Sequence, residues 1–447
     1  GGGGSIEIHR GLLDKPGDID ANDPTIIDRL PLDYSILDEI DYEYPASDAY
    51  FGYTTRGCIR RCPFCAVPTL EPIYKNFVSI REQIAYVDRN FGKKRELLLM
   101  DNNVLASTEF DRIIDEIKAI GFAKGATYIP DSEYEIAFRN LTTGFGNCSF
   151  NNRAYIRKMI GIYDKLAARL DKLSKNQSAD FYLEREQRLL LYPETATIDQ
   201  IIAFDPIARA YFEKHFKQIS RKRHIDFNQG VDARLINDDN MKLLAEINIR
   251  PLRIAFDHWE QRDIYERAVR LAAKYGIEEL SNYLLYNFHD TPEELYNRMR
   301  LNVELCEELD VRIYSFPMRY HPIRDEKYFS NRNYIGEHWN KKFIRAVQAV
   351  MNSTKGKIGR GKEFFLKAFG RDLDEFRELL WMPEEFIINR LKYEDNLTAE
   401  WRAAFNSLDD EKLAAVKQIV AENNFDDNLF LPDDEEIRQV LEYWQKT

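Results

Sequence analysis

Three of the chain's five cysteines fall within eight positions, in the stretch Tyr53-Thr-Thr-Arg-Gly-Cys58-Ile-Arg-Arg-Cys62-Pro-Phe64-Cys65. The spacing Cys-x3-Cys-x2-Cys puts three thiolates on one loop, facing one point. Thiolates so placed select a soft metal centre, zinc or iron–sulfur. A structural zinc site wants four protein ligands and is closed. Here the fourth is missing, because no other Cys or His lies within about 40 residues. A cubane cluster held by three thiolates would leave one iron open, and an open iron beside a strand end is a place for reaction. A zinc knuckle with a distant fourth ligand and a disulfide-prone loop are the plainer alternatives.

At these residues the chain resembles the radical S-adenosylmethionine (SAM) superfamily, whose pattern is Cys-x3-Cys-x-aromatic-Cys, with Phe64 supplying the aromatic. The resemblance implies a 4Fe-4S cluster on Cys58, Cys62 and Cys65. Its open iron would chelate the amino and carboxylate groups of SAM. Reduction would then cleave SAM to methionine and a 5′-deoxyadenosyl radical that abstracts a hydrogen atom. A one-electron donor such as ferredoxin or flavodoxin is the implied partner.

The rest of the chain must position that loop. Asp48–Thr54 reads as a first strand ending just before Cys58. Ile80, Ile84, Val87 and Phe91 share one helical face. Glu96–Met100 is an apolar run of the kind found in buried parallel strands. A helix over Thr108–Ile120 follows, closed by Gly121. Residues 122–222 read as an inserted helical subdomain with helices at Tyr155–Leu173 and Pro206–Ser220, since a loop of that length needs structure of its own. In the second helix, Asp205 is the expected N-cap and Pro206 the first helical residue. Strands at His224–Gln229, Leu252–Asp257, Ser281–Asn287 and Arg312–Met318 resume the rhythm. Between them lie a helix capped by Asn237 or Asp238, one closed by Gly276, and one opened by Thr291-Pro292-Glu293-Glu294.

Six βα units predict parallel pairing. The expected fold is α/β: a partial (β/α)6 barrel over 49–322, the radical SAM core, with the 122–222 insertion inside it. Residues 323–447 are expected to form a mainly α-helical C-terminal domain. Gly1–Ser5 reads as a flexible linker. Residues 6–48, broken by Asp23-Pro24, Pro31 and Pro45, read as an extended arm. The arm is too short for a cobalamin-binding domain of typical size, roughly 100 residues.

Ligands of such barrels gather at the C-terminal strand ends. After the second strand come Asp101, Asn102 and Asn103, where the family places a segment that bonds the SAM amino group. Here the segment departs from the usual Gly-Gly-Glu type. An Asx-turn capping the next helix is its plain reading. After the third strand stand Gln229, Asp232 and Arg234. Arg234 resembles the arginine that holds SAM's carboxylate in some relatives, and an ordinary ion pair with Asp232 is the alternative. By the same resemblance Asp257 faces the ribose, Asn287 lies in the adenine-proximal segment, and Arg319 faces substrate. Phe64 joins them within the cluster loop. No catalytic side chain is singled out. Cys148 and Cys306 cannot build a second three-thiolate site, and Cys306 sits on an apolar helical face.

Composition sets outer bounds. The 447 residues carry a net charge of −12, which argues against a globally basic nucleic-acid binder. No apolar run approaches the roughly 20 residues that span a bilayer. Few and unpaired cysteines point to a reducing cytoplasm. Residues 339–371 hold nine Lys or Arg and the single acid Glu363, a local charge of +8. That window is a candidate nucleic-acid contact, so the substrate reading divides between nucleic-acid modification and a peptide or small metabolite. A non-catalytic metal-binding nucleic-acid-binding protein is the reading from a different class.

Overall fold

The computed structural model describes residues 46–143, 152–323, 325–328, 331–422 and 433–445, with Leu32, Tyr34, Leu37, Tyr42 and Tyr44. The linker Gly1–Ser5, most of the 6–48 arm with its four prolines, and Cys148 lie outside them. The described chain is mixed α/β with parallel sheets. It divides into two units. The first holds residues 1–59, 69–229 and 242–250; the second holds 60–68, 230–241 and 251–447.

In the first unit, β1 (Ala49–Gly52) and β2 (Glu96–Leu99) pair in parallel, Gly52 opposite Leu99. The apolar run of β2 explains its central place, for Leu97 and Leu99 are fully buried. A short ribbon follows, β3 (Thr127–Tyr128) antiparallel to β4 (Arg221–Lys222). Next comes β5 (His224–Phe227), parallel to β2 with Leu97 opposite Ile225. The ribbon was not expected. It brackets the 122–222 segment, whose helices Glu133–Thr143, Asn152–Leu173, Lys175–Gln187 and Ile198–His215 share a core of their own around Tyr134, Met159, Tyr163, Leu166, Phe181 and Phe204. That core holds the described helices of this long excursion together.

One expectation fails inside it. Pro206 does not open a helix but lies within Ile198–His215. Thr197 starts that helix, in a reciprocal capping box with Gln200. Satisfying two orphan donors at the start outweighs the one backbone bond that Pro206 forgoes. Asp205 is no cap either; it accepts from Tyr134 Oη at 2.9 Å and from Arg209.

The second unit carries β6 (Leu252–Arg253), β7 (Glu279–Tyr286) and β8 (Arg312–Arg319), again parallel and in chain order. β6 is shorter than the expected Leu252–Asp257. Only Leu252 and Arg253 pair with β7, and a lone parallel bridge joins Val231 to Ile254. The helix Pro292–Leu309 begins as expected, with Thr291 and Glu294 bonding reciprocally. From Lys341 onward the described chain is helical, packed around Phe365, Phe369, Phe376, Leu379 and Trp401.

Candidate metal and cofactor centre

In the first unit, Cys58 ends a turn built from polar bonds. Glu71 accepts from Arg56 Nη2 and from the Gly57 backbone N–H, both at 2.9 Å. Asn102 donates to the same carboxylate at 2.9 Å. Gly57 is required here: its φ is +72°, and a Cβ would come within 2.5 Å of the Ile73 carbonyl oxygen. Asp101 is fully buried. Its carboxylate takes the Thr54 N–H at 3.0 Å, the Thr54 and Thr55 hydroxyls each at 2.7 Å, and the Thr55 N–H. Burial pushes its pKa above the usual carboxylate range, and these four donors offset only part of that rise. Asp101 thus ties the end of β1 to the end of β2, with its oxygens already engaged.

Asn103 is the residue that looks outward from this network. Its Nδ2 donates to Cys58 Sγ at 3.5 Å. Its backbone carbonyl accepts from Tyr74 Oη at 3.0 Å. Its Oδ1 is buried and has no hydrogen-bond donor among the described residues. A buried amide oxygen left this way costs roughly 1–3 kcal/mol, so the position calls for a donor. Gln229, at the end of β5, is exposed.

In the second unit, the Cys65 N–H closes a turn onto the Cys62 carbonyl at 3.0 Å. Asp232 is gripped from two sides. Arg234 binds it in bidentate fashion at 2.7 and 3.0 Å, and Arg60 Nε reaches it at 3.0 Å. Burial works to raise the Asp232 pKa, but the hydrogen bonds from Arg234 and Arg60 prevail and hold it below the usual carboxylate range. Arg234 is raised, first by Asp232, and also interacts with the Cys62 side chain. The Arg234–Asp232 ion pair is therefore present, and the same guanidinium stands beside the Cys62 side chain.

Phe64 packs edge-on against Phe288, ring centroids 5.9 Å apart, and lies 6.1 Å from the His258 ring. Asp257, half-buried nearby in the fold, is pushed up by burial, against the pull of His258, Arg298 and Arg234. Arg298 is wholly buried and was not anticipated. It donates to the carbonyls of Phe256, Asp257 and Leu285 and to Asp290, pinning the chain ends after β6 and β7. Asn287 and Arg319 have backbone partners too. Asn287 bonds the Tyr334 carbonyl and the Gly336 N–H, and Arg319 bonds the carbonyls of Arg332 and Tyr334. Both hold the 332–336 segment in place.

Sequence reasoning missed Glu71, Thr54, Thr55 and Arg298. Each acts through partners far along the chain, and no local pattern marks them. Among the described residues, no three His, Cys, Asp or Glu side chains stand together tightly enough to hold a single metal ion. Cys58, Cys62 and Cys65 are half-buried and free of disulfides, and Cys306 is free and buried. Cysteine thiolates are the donors that an iron–sulfur cluster takes; an amide N–H reaches the Cys58 sulfur in the first unit, and a guanidinium stands beside Cys62 in the second.

No helix among the described residues is long and apolar enough to cross a membrane. No family model and no curated protein matches the chain. Among solved structures, the chain is similar to the radical S-adenosylmethionine methyltransferase TsrM from Kitasatospora setae, with cobalamin and a 4Fe-4S cluster bound, at 12% identity and a TM-score of 0.27. The match covers 61% of this chain and 36% of that one, so this chain spans well under half of that protein's length.

Proposed function

We propose that the chain is a radical SAM enzyme, with a partial (β/α)6 barrel over 49–322 and a 4Fe-4S cluster on Cys58, Cys62 and Cys65. When bound, the reduced cluster supplies the electron that splits SAM into methionine and a hydrogen-abstracting 5′-deoxyadenosyl radical. The observation that carries the reading is Asn103. One end of its amide donates to the first cysteine of the motif, and the other end is a buried acceptor with no donor among the described residues. An ammonium group seated there would satisfy it. That is the need of a SAM amine beside an open iron, and a closed zinc site has no such need.

The other residues serve that arrangement. Asp101, Asn102 and Glu71 hold the approach to Cys58 rigid. Arg234 and Arg60, gathered on Asp232, set positive charge beside Cys62, where it stabilises thiolate. Phe64, against Phe288, shields the cluster loop from water. Asp257 stays a candidate contact for a ribose hydroxyl, and Gln229 a polar group at an open strand end. Asn287 and Arg319 act by positioning the 332–336 segment. A ferredoxin- or flavodoxin-type donor and a reducing cytoplasm suit the chemistry.

Anaerobic reconstitution tests this. Brown protein with about four irons that forms 5′-deoxyadenosine from SAM and dithionite is the expected result, and Cys62→Ala should abolish it. Colourless protein holding one zinc, or a Cys62→Ala variant that still cleaves SAM, would sink the assignment.

A further inference from the structure

The sheet β6–β7–β8 carries a set of side chains that the cluster chemistry does not use. Its register places Arg253 beside Ser281, Ser281 beside Tyr314, Tyr283 beside Phe316 and Leu285 beside Met318. Side chains alternate between faces along a strand, so these residues share one. Tyr283 is 36% exposed and Met318 48%, while Leu284, Ile313 and Ser315 on the opposite face are buried. The Tyr283 and Phe316 rings lie 5.8 Å apart, and the Arg253 guanidinium is 5.7 Å from the Tyr283 ring.

A basic turn is stitched to the same sheet. Ser315 and Ile358 exchange both backbone hydrogen bonds, at 2.7 and 2.8 Å. This fixes Thr354–Gly361 against the middle of β8. Gly359 permits the approach: a Cβ there would press to 3.2 Å from the Tyr314 ring. Lys357 Nζ stands 5.3 Å from the centre of that ring. Four of the nine cations of the 339–371 window are already paired with carboxylates. Arg345 pairs with Glu384, Arg360 with Asp310, Lys362 with Glu307 and Arg371 with Glu375. Lys342 is buried. In the turn, the exposed Lys355 and Lys357 have no carboxylate partner among the described residues.

We propose that this sheet face and its turn bind single-stranded nucleic acid, bases stacking on Tyr283 and Phe316 and phosphates meeting Lys355 and Lys357. Rings alone would suit any apolar ligand, and lysines alone any anion. An exposed ring, Tyr283, and a half-buried one, Phe316, beside such cations match a strand whose bases are splayed out and whose backbone is charged. A duplex keeps its bases stacked and would find only the lysines. The net charge of −12 repels polyanions elsewhere, which confines binding to such a patch. The inference rests on the radical SAM reading only for what is done to the strand; binding itself needs no cluster.

The test uses the full chain free of iron, with labelled single-stranded RNA and DNA oligonucleotides followed by fluorescence anisotropy across a salt series. Affinity should fall as salt rises. Lys355→Glu with Lys357→Glu should weaken binding at least about tenfold. It should also flatten the salt slope, by roughly 0.7 for each phosphate that no lysine neutralises any longer. Tyr283→Ala should cost roughly tenfold in affinity because a base no longer stacks there, and Tyr283→Phe should cost little. Circular dichroism of each variant shows that it folds. No binding at low salt, equal affinity for duplex or for polyglutamate, or indifference to both sets of variants would overturn the proposal. Failure to cleave SAM after reconstitution would sink the cluster reading and leave the strand-binding result standing, so the two failures are told apart.

Discussion

The two parallel sheets secure their chain ends by opposite means. In the first unit a buried acid does it: Asp101 gathers two backbone N–H groups and two hydroxyls from Thr54 and Thr55. In the second a buried base does it: Arg298 supplies donors to three backbone carbonyls and to Asp290. Beside the loop that the acid holds, Asn103 Oδ1 is left a buried acceptor without a donor among the described residues. The arginine organises acceptors, so the segment it holds keeps its carbonyls engaged. Each unit still keeps a buried amide oxygen without a donor among the described residues, Asn103 Oδ1 in the first and Asn282 Oδ1 on β7 in the second.

Breaking the second arrangement should cost most. Arg298→Met keeps the apolar stem but strands Asp290 and three carbonyls in the interior. The expected loss is roughly 3–5 kcal/mol, the range for removing one partner of a buried ion pair. It is read as a fall in the urea midpoint. A loss under about 1 kcal/mol, the net worth of one ordinary hydrogen bond, would mean that water or another donor takes over, and the contrast between the sheets would lapse. Asp101→Asn should cost less, about 1–3 kcal/mol, because an amide oxygen in the Oδ1 place still accepts from all four donors while its NH2 meets only the Thr54 N–H, 3.2 Å from Oδ2. The same variant should loosen the approach to Cys58, seen as weaker retention of iron after reconstitution. Unchanged iron content would show that Glu71 and Gly57 suffice.

Much of this architecture was legible locally and some was not. β2, β5, β7 and β8 announced themselves because burial forces apolar runs. The start at Thr291 was readable because a capping box closes within four residues. Pro206 misled because its usual place at a helix start is only a tendency, and the capping box at Thr197, nine residues earlier, is the stronger signal. β6 was overextended because an apolar run shows burial, whereas a ladder also needs a neighbour of equal length. At the site, the motif gave Cys58, Cys62 and Cys65 and the strand-end rule gave Asp101 to Asn103. Their division of labour could not be read. That Asp101 is consumed by Thr54 and Thr55, while Asn103 binds Cys58 and keeps its buried Oδ1 without a donor, depends on contacts about 45 residues apart. Arg298 was invisible for the same reason: an arginine in an amphipathic helix reads as solvated until its carbonyl partners are placed.

A third buried charge sharpens the comparison because nothing in its surroundings balances it as Asp101 and Arg298 are balanced. Lys342, in the helix Lys341–Ser353, is fully buried, and its Nζ has no hydrogen-bond acceptor among the described residues. Burial drives its pKa down to about 7, with Glu384 pulling weakly the other way. In the unfolded chain a lysine titrates near 10.4. Between those values the unfolded state binds more protons than the folded one, so stability rises with pH across that window. Below about pH 7 the whole penalty is present. Lys342→Met, similar in shape and uncharged, should therefore stabilise the fold by on the order of 2 kcal/mol at about pH 6. The gain should shrink steadily toward about pH 10, as measured by urea unfolding of both proteins at each pH. A gain that stays flat with pH would mean that Lys342 keeps its proton when folded. Burial would then be no guide to which charges this fold holds in balance, and the pairing of Asp101 and Arg298 would lose its significance.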